Sequence, residues 1–460
     1  MIRKLEAFCE YHKRFRTILC VLLIAGIACC LTACGAQGGE EDRAGDGSNT
    51  STGTGTMTRG VKASIPMGNA TESDVVSIQG QIQTGQAQET QSQVEQAQVQ
   101  ATQSQTEQPQ SLQSQPVQSQ PVQPQSIQHG TAQSFVENLG VGWNLGNTLD
   151  PVDCTWLADD MEYETAWGNP KATKELINYI RSEGFTTIRI PVTWKNHLSA
   201  APDYTIRREW LDRVQQVVDW CREEDLYVIL NIHHESSWLT NASRDYEQTM
   251  TQYRAIWTQL AARFKDYDEH LIFESMNEIG FDDLGDAKGC ELQNRINAEF
   301  TELVRTSGGK NAERYLLLAG YWTDIDKTCE GTILPEDDRV ILSVHYYSPA
   351  TFAIADRSSS WGYQETWGTD ADLAYLDGQM RKLKEHFSDK GIPVIIGEFA
   401  ATHADKDATS VVRYTAAVME YALRYHFCPI WWDNGQEIDR TALRYRLNGM
   451  QEAIHKVMEK

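Results

Sequence analysis

Aromatic residues are missing from a long stretch of this 460-residue chain: between Gly35 and Ala132 there is no Phe, Trp or Tyr. A segment without large apolar side chains cannot bury enough surface to offset its chain entropy, which excludes a folded domain there. Basic charge is scarce as well. The net charge is −23; the first 34 residues hold +3 and residues 35–132 hold −6, which leaves −20 on the rest. So acidic a surface repels phosphate backbones, so no nucleic-acid partner is expected, and it argues against an acidic polysaccharide as substrate. None of the ten cysteines sits at C-x-x-C spacing, so neither a zinc knuckle nor a redox pair is in view. His-Glu-x-x-His and Gly-x-Ser-x-Gly are absent too. Gly140-Val141-Gly142 begins like a dinucleotide fingerprint, but Leu145 stands where its third glycine belongs.

What is present divides the chain in three. Arg3, Lys4, Lys13, Arg14 and Arg16 precede an apolar run, Ile18 to Leu31, that is of signal-peptide length and short for a membrane span. It ends in Leu31-Thr32-Ala33-Cys34, which resembles the lipobox of bacterial lipoproteins. That resemblance implies cleavage before Cys34, acylation of its thiol, and a chain held at the outer face of a bacterial membrane. Residues 34–132 follow as a disordered Gln/Ser/Thr-rich tether, its echoes (Pro116-Val117-Gln118, Pro121-Val122-Gln123) being low complexity rather than a folding repeat. Residues 133–460 are left as the one region able to build a large core, expected to be monomeric.

In that region short apolar runs alternate with amphipathic stretches. Strands are expected at Val141–Gly146, Thr186–Val192, Tyr227–His233, Leu271–Glu278, Tyr315–Tyr321, Val340–Ser348, Pro393–Phe399 and Pro429–Asn434. Helices are expected between them and at Thr441–Val457, with Trp322–Arg339 too short and irregular for a full one. Eight such units predict an α/β (β/α)8 TIM barrel; the alternative, a doubly wound open sheet, lacks its fingerprint. Of the five later cysteines, Cys221 and Cys428 fall in core-like patterns, and a bridge such as Cys290–Cys329 is open.

Catalytic groups of such barrels stand at the C-terminal strand ends. Read in order, these are Asn144, Arg189, His233 with His234, Asn277 with Glu278, Trp322, His345 with Tyr347, Glu398, and Trp431 with Trp432. Glu278 and Glu398 end apolar runs, where a carboxylate is costly unless paired or used. Two carboxylates facing across a mouth suit retaining glycoside hydrolysis at ~5–5.5 Å separation. Glu274, deeper on the same strand, is expected to pair with a core arginine. Consecutive strand residues face opposite ways, so His233 and His234 are read as hydrogen-bonding groups and no metal or cofactor is expected. Nine tryptophans crowd the same end (Trp143, Trp167, Trp194, Trp238, Trp322, Trp361, Trp367, Trp431, Trp432), and indole faces stack well on the C–H face of a neutral sugar.

These motifs resemble a known family. Gly142-Trp143-Asn144-Leu145-Gly146-Asn147-Thr148-Leu149-Asp150, Trp167-Gly168-Asn169-Pro170, Arg189-Ile190-Pro191-Val192-Thr193-Trp194, Asn231-Ile232-His233-His234-Glu235, Asn277-Glu278, His345-Tyr346-Tyr347-Ser348-Pro349, Ile396-Gly397-Glu398-Phe399 and Trp431-Trp432-Asp433-Asn434-Gly435 occur in the order seen in glycoside hydrolase family 5, the cellulase family. The branch they resemble is that of bacterial endoglucanases which also accept xyloglucan and mixed-linkage glucan. The resemblance implies a β-glucan polysaccharide as substrate, Glu278 as acid/base and Glu398 as nucleophile. It implies Arg189 and Tyr347 as supports of the nucleophile, Asn277 on the 2-hydroxyl, and His233 and His345 lining the cleavage subsite. Asn144 would reach a glycone-side sugar, and a last-strand tryptophan, Trp431 rather than Trp432, would form the floor. Many relatives carry Pro after the acid/base; here Ile279-Gly280 follows it, which puts the leaving-group subsites in question. Xyloglucan, mannan or xylan cleavage by the same machinery, and a noncatalytic glycan-binding lipoprotein, are the other readings.

Overall fold

The computed structural model describes residues 131–460; the leader, Cys34 and nearly all of the tether lie outside the described residues. Eight parallel strands close into a barrel in sequence order: β1 Gly142–Leu145, β2 Thr187–Ile190, β3 Tyr227–Asn231, β4 Leu271–Glu274, β5 Leu316–Ala319, β6 Val340–Tyr346, β7 Val394–Phe399 and β8 Cys428–Asp433, with β1 paired to β8. All eight are buried along nearly their whole length, which is why they read as continuous apolar runs rather than alternating ones. Helices follow the strands, including Lys174–Ser182, Arg208–Glu223, Tyr246–Arg263, Asp286–Thr306, Asp370–His386 and Ala408–Arg424. The connection after β5 carries only the seven-residue helix Ile325–Gly331.

The barrel has two distinct packed regions. Between strands and helices runs the large core, with Trp143, Trp210, Trp257 and Trp431 fully buried. Inside the barrel, Ile229, Ile272, Leu317, Ile341, Ile395 and Ile430 pack together, closed from below by Phe135, Val136 and Leu139. Phe135 and Val136 project from the first helix, Thr131–Asn138, and Leu139 follows it directly. Phe135 stacks on Tyr315 at 3.6 Å between ring centroids and meets Tyr227 edge-on at 5.4 Å. The inside of the barrel bottom is thus filled mainly with apolar side chains, with Thr187 Oγ1 donating to Leu139 O at its edge.

Several expected boundaries change. β3 stops at Asn231 and β4 at Glu274, so His233, His234, Asn277 and Glu278 stand in turns beyond the strands. The backbone there is still anchored: Ser275 N donates to Leu317 O and Asn277 N to Ile232 O. The expected helix Thr441–Val457 is instead a hairpin of Ile438–Asp439 and Arg444–Tyr445, with a helix only from Met450. Asp439 Oδ1 caps Thr441 N and Ala442 N, and Leu443 turns through φ 51°. This local capping outcompetes a helical run. Cys290 and Cys329 form no bridge and are free thiols; Cys221 and Cys428 are buried as expected.

Candidate active site

At the mouth the side chains converge on Arg189, which enters from β2 and is fully buried. Its Nε donates to Glu274 at 2.7 Å and its Nη2 to Asn277 Oδ1 at 2.9 Å. Its Nη1 reaches both Glu398 Oε1, at 2.7 Å, and Asn144 Oδ1, at 3.0 Å. Burial works against the guanidinium charge, but the Glu274 and Glu398 carboxylates outweigh it and hold the group protonated. Glu274 is the expected buried partner of a core arginine, and Ser343 Oγ donates to its second oxygen.

Tyr347 donates its hydroxyl to Glu398 Oε2 at 3.0 Å. Its phenol is pushed well above the usual tyrosine range by burial and by the Glu398 and Glu278 charges, so it remains a donor. Glu398 therefore receives a cation on one oxygen and a hydroxyl on the other. Burial pushes its carboxyl above the usual range, and His345 and Arg189 pull it back only in part. Gly397, beside it, stands tight against β6; a methyl group there would fall 2.9 Å from Ser343 Oγ. Glu278 is the more open carboxylate, its side chain 40% exposed against 7% for Glu398. His345 Nδ1 lies 2.8 Å from Glu278 Oε1 and 3.6 Å from Glu398 Oε2. At Glu278 the loss of water raises the carboxyl, yet the His345 contact outweighs that and holds it below the usual range. One oxygen of each glutamate lies within 4.8 Å of the other, with His345 Nδ1 inside the same radius.

Beyond this centre the expectations divide. His233 is buried, its Nδ1 3.2 Å from Asn231 Nδ2, and burial with nearby His234 and Arg189 keeps it neutral. Because β3 has ended, His233 and His234 do not point to opposite faces: their rings meet edge-on at 4.4 Å, and His234 Nε2 comes 3.8 Å from Asp150 Oδ2. These three groups have the composition of a metal site. Two of them are already partly engaged, however: Thr148 N and Asn147 N each donate to one oxygen of Asp150, and His233 Nδ1 faces Asn231 Nδ2. The Arg440 and Arg189 charges on either side further oppose a cation.

Asn144 does not reach a sugar. It is fully buried, its amide donating to Gly397 O and Ile430 O and its oxygen accepting from Arg189, so it serves as a brace. The floor residue is also corrected. Trp431 points outward into the core against Phe185 and Tyr445, whereas Trp432 lies level with Asn144 and stacks parallel to His233 at 5.7 Å. Of the nine mouth tryptophans, Trp143, Trp194, Trp367 and Trp431 belong to the core; Trp167, Trp238, Trp322 and Trp432 are half-buried, and Trp361 is exposed.

One group of mouth residues was not anticipated. Asp433 accepts from Trp143 Nε1 and from the backbone of Gly435 and Glu437, and Arg440 braces the β8 loop against Gly146 O. Asp150, buried in the same group, is pushed up to about 7 by burial. Asp150 and Asp433 stood in the sequence only as members of quoted motifs, and Arg440 carries no spacing signal.

Two carboxylates under 5 Å apart at the mouth of a (β/α)8 barrel, one braced by arginine and tyrosine, define a glycoside hydrolase. Residues 155–438 match the Cellulase family (glycosyl hydrolase family 5), and the chain belongs to that family. Among its relatives, Endoglucanase A of Ruminococcus albus is 38% identical over 314 residues, covering 66% of this chain and 84% of that protein. Endoglucanase A of Clostridium longisporum is 37% identical over 344 residues, covering 70% of this chain; the chain spans 65% of that relative's length. The structure of a glycoside hydrolase 5 lichenase from Caldicellulosiruptor sp. F32 with cellotetraose superposes with a TM-score of 0.67 at 33% identity, over 76% of this chain and 99% of that one.

Proposed function

We propose that this protein is a retaining endo-β-1,4-glucanase. The observation that carries the mechanism is the carboxylate separation: oxygens within 4.8 Å leave no room for the water that inverting enzymes seat between groups about 6.5–9.5 Å apart. The roles follow from the surroundings. Glu398, buried and held by Arg189 and Tyr347, is the nucleophile: its oxygen bonds to the anomeric carbon as the glycosidic C–O bond breaks. Glu278, open to the mouth, gives its proton to the leaving oxygen, then takes one from the water that releases the sugar from Glu398. With Glu398 ionised and its oxygen within 4.8 Å, like-charge repulsion favours the protonated form of Glu278 that an acid requires. Asn277, its oxygen fixed by Arg189, turns its amide donors toward the 2-hydroxyl, and Trp432 with His233 supplies a flat wall for the sugar ring. A glucan as substrate is supported by the endoglucanase and lichenase names of the relatives and by the aromatic wall of Trp432 at the mouth.

Reducing-sugar release by residues 131–460 on carboxymethylcellulose, mixed-linkage glucan, xyloglucan, mannan and xylan tests this reading. Cleavage of the first three is expected, and Glu398→Gln is expected to abolish it with the fold intact. Cleavage of mannan or xylan alone would replace the substrate; binding without products would favour a noncatalytic role. For location, the basic leader, its apolar run and Cys34 support a lipid-anchored protein at the outer face of a bacterial membrane. Cys34→Ala is expected to move it from the membrane fraction to the medium, and unchanged membrane association would sink that assignment.

A further inference from the structure

The residue pair after the acid/base, Ile279-Gly280, has a structural reason. Ile279 is buried in the core, and Gly280 lies flat against the indole of Trp322. A methyl group at position 280 would fall 1.7 Å from Trp322 Cε2 and 2.0 Å from its Cζ2 and Nε1. Real carbon contacts lie near 3.5–4.0 Å, so no side chain of any kind coexists with the indole where it stands. The backbone at Gly280 is outside the left-handed region, so glycine is needed there for space and not for conformation.

The partner element is built to the same fit. Trp322 sits in a turn just past β5 at φ 58°, an uncommon conformation for a bulky residue, and Thr323 follows at φ 51°. Tyr321 Oη accepts from Phe281 N at 3.2 Å, the residue after Gly280. A second glycine makes room for that phenol: a methyl group at Gly289 would fall 2.1 Å from Tyr321 Oη. The turn after β5 is therefore interlocked with the turn after β4 and the helix Asp286–Thr306 by two aromatic rings seated on Gly280 and Gly289. Glu278 is two residues from this lock, and Trp322 is half-buried just past the C-terminal end of β5, which is the mouth end of that strand.

We propose that Gly280 is a positioning residue for the leaving-group side of the site, acting through Trp322. The side of the mouth occupied by Glu278 is the side on which the cleaved chain departs, because Glu278 protonates the departing oxygen; this rests on the retaining reading above. An indole set there by Gly280 offers its face to the first glucosyl unit of the departing chain. The chemistry recognised is the C–H face of a neutral pyranose, and the step affected is the binding that orients the leaving oxygen on Glu278.

Gly280→Ala, Trp322→Ala and the double variant make the test, read by folding and by turnover. If the indole and Gly280 share one space, Gly280→Ala lowers the Tm of residues 131–460 by several degrees, and in the Trp322→Ala background the same change costs little. That comparison holds whatever the substrate proves to be. In turnover, kcat/KM on cellohexaose is expected to fall about tenfold more than on 2,4-dinitrophenyl cellobioside, whose leaving group needs neither protonation nor a sugar wall. Additive stability effects, or equal losses on the two substrates, overturn the proposal. Wild-type turnover of the aryl cellobioside without cleavage of any glucan would instead count against the endoglucanase reading and leave the stability cycle to decide the lock.

Discussion

Arg189 donates to Glu274, Glu398, Asn144 and Asn277 at once, so replacing it tests geometry apart from charge. Lysine keeps the charge but offers one compact ammonium in place of a planar fork, and it cannot reach four acceptors on two sides. Arg189→Lys is expected to lower kcat by roughly a hundredfold or more, as the loss of a preorganised electrostatic contact does. It also leaves Glu274 buried with a poorer partner, and urea denaturation should show a loss approaching the ~3–5 kcal/mol of a broken buried pair. A variant as stable and active as the parent would mean that Glu398 is not held by this bond. His345 makes a second test, through pH. Its charge lowers both Glu278 and Glu398, so its removal raises both carboxyls. In His345→Ala both limbs of kcat/KM against pH, which belong to the carboxylate pair as a whole, should therefore move to higher pH. A shift toward acid would show that His345 does not act as a cation there.

At the level of elements, the first helix is the part of the barrel with the least to do with the mouth. Phe135 closes the floor against Tyr315 and Tyr227, and its removal leaves a void in a packed interior. Phe135→Ala is expected to cost about 3–5 kcal/mol in unfolding free energy with kcat unchanged, since the site lies at the other end of the strands. A drop in kcat at a temperature where the variant is folded would show that the floor and the mouth are coupled. The eight strands were legible because parallel strands buried on both faces leave unbroken apolar runs, and the mouth residues because polar groups ending such runs are conspicuous. What could not be read was parity and what lies past the strand ends. Trp431 and Trp432 differ by one position, and the register shift between β7 and β8 conceals which faces inward. Cys428 and Ile430, both inside the barrel, give the answer once their placement is known. Asn144 was seen to be at the mouth, but that its amide is spent on Gly397 and Ile430 depends on contacts more than 250 residues away. The C-terminal hairpin was missed because capping by Asp439 is a side-chain event that periodicity does not register.

Charge acts at the scale of the whole molecule. The domain beyond residue 132 carries −20, and its mouth uses one buried cation, Arg189, already matched by two carboxylates. An uncharged chain entering that mouth meets no long-range force, and only contact terms such as ring stacking and hydrogen bonds decide its binding. A carboxylated chain meets repulsion before any contact forms. The two substrates are thus expected to respond differently to salt. Between 10 mM and 200 mM NaCl the screening length falls from about 30 Å to under 10 Å, which removes most of the repulsion at the distance of approach. KM for carboxymethylcellulose should fall severalfold over that range while KM for mixed-linkage glucan stays within experimental error. The same salt series on both polymers, at constant pH and with kcat followed separately, decides the matter. Equal responses would mean that the acidic surface lies away from the path of the substrate, leaving the sign of the charge to serve solubility rather than selection.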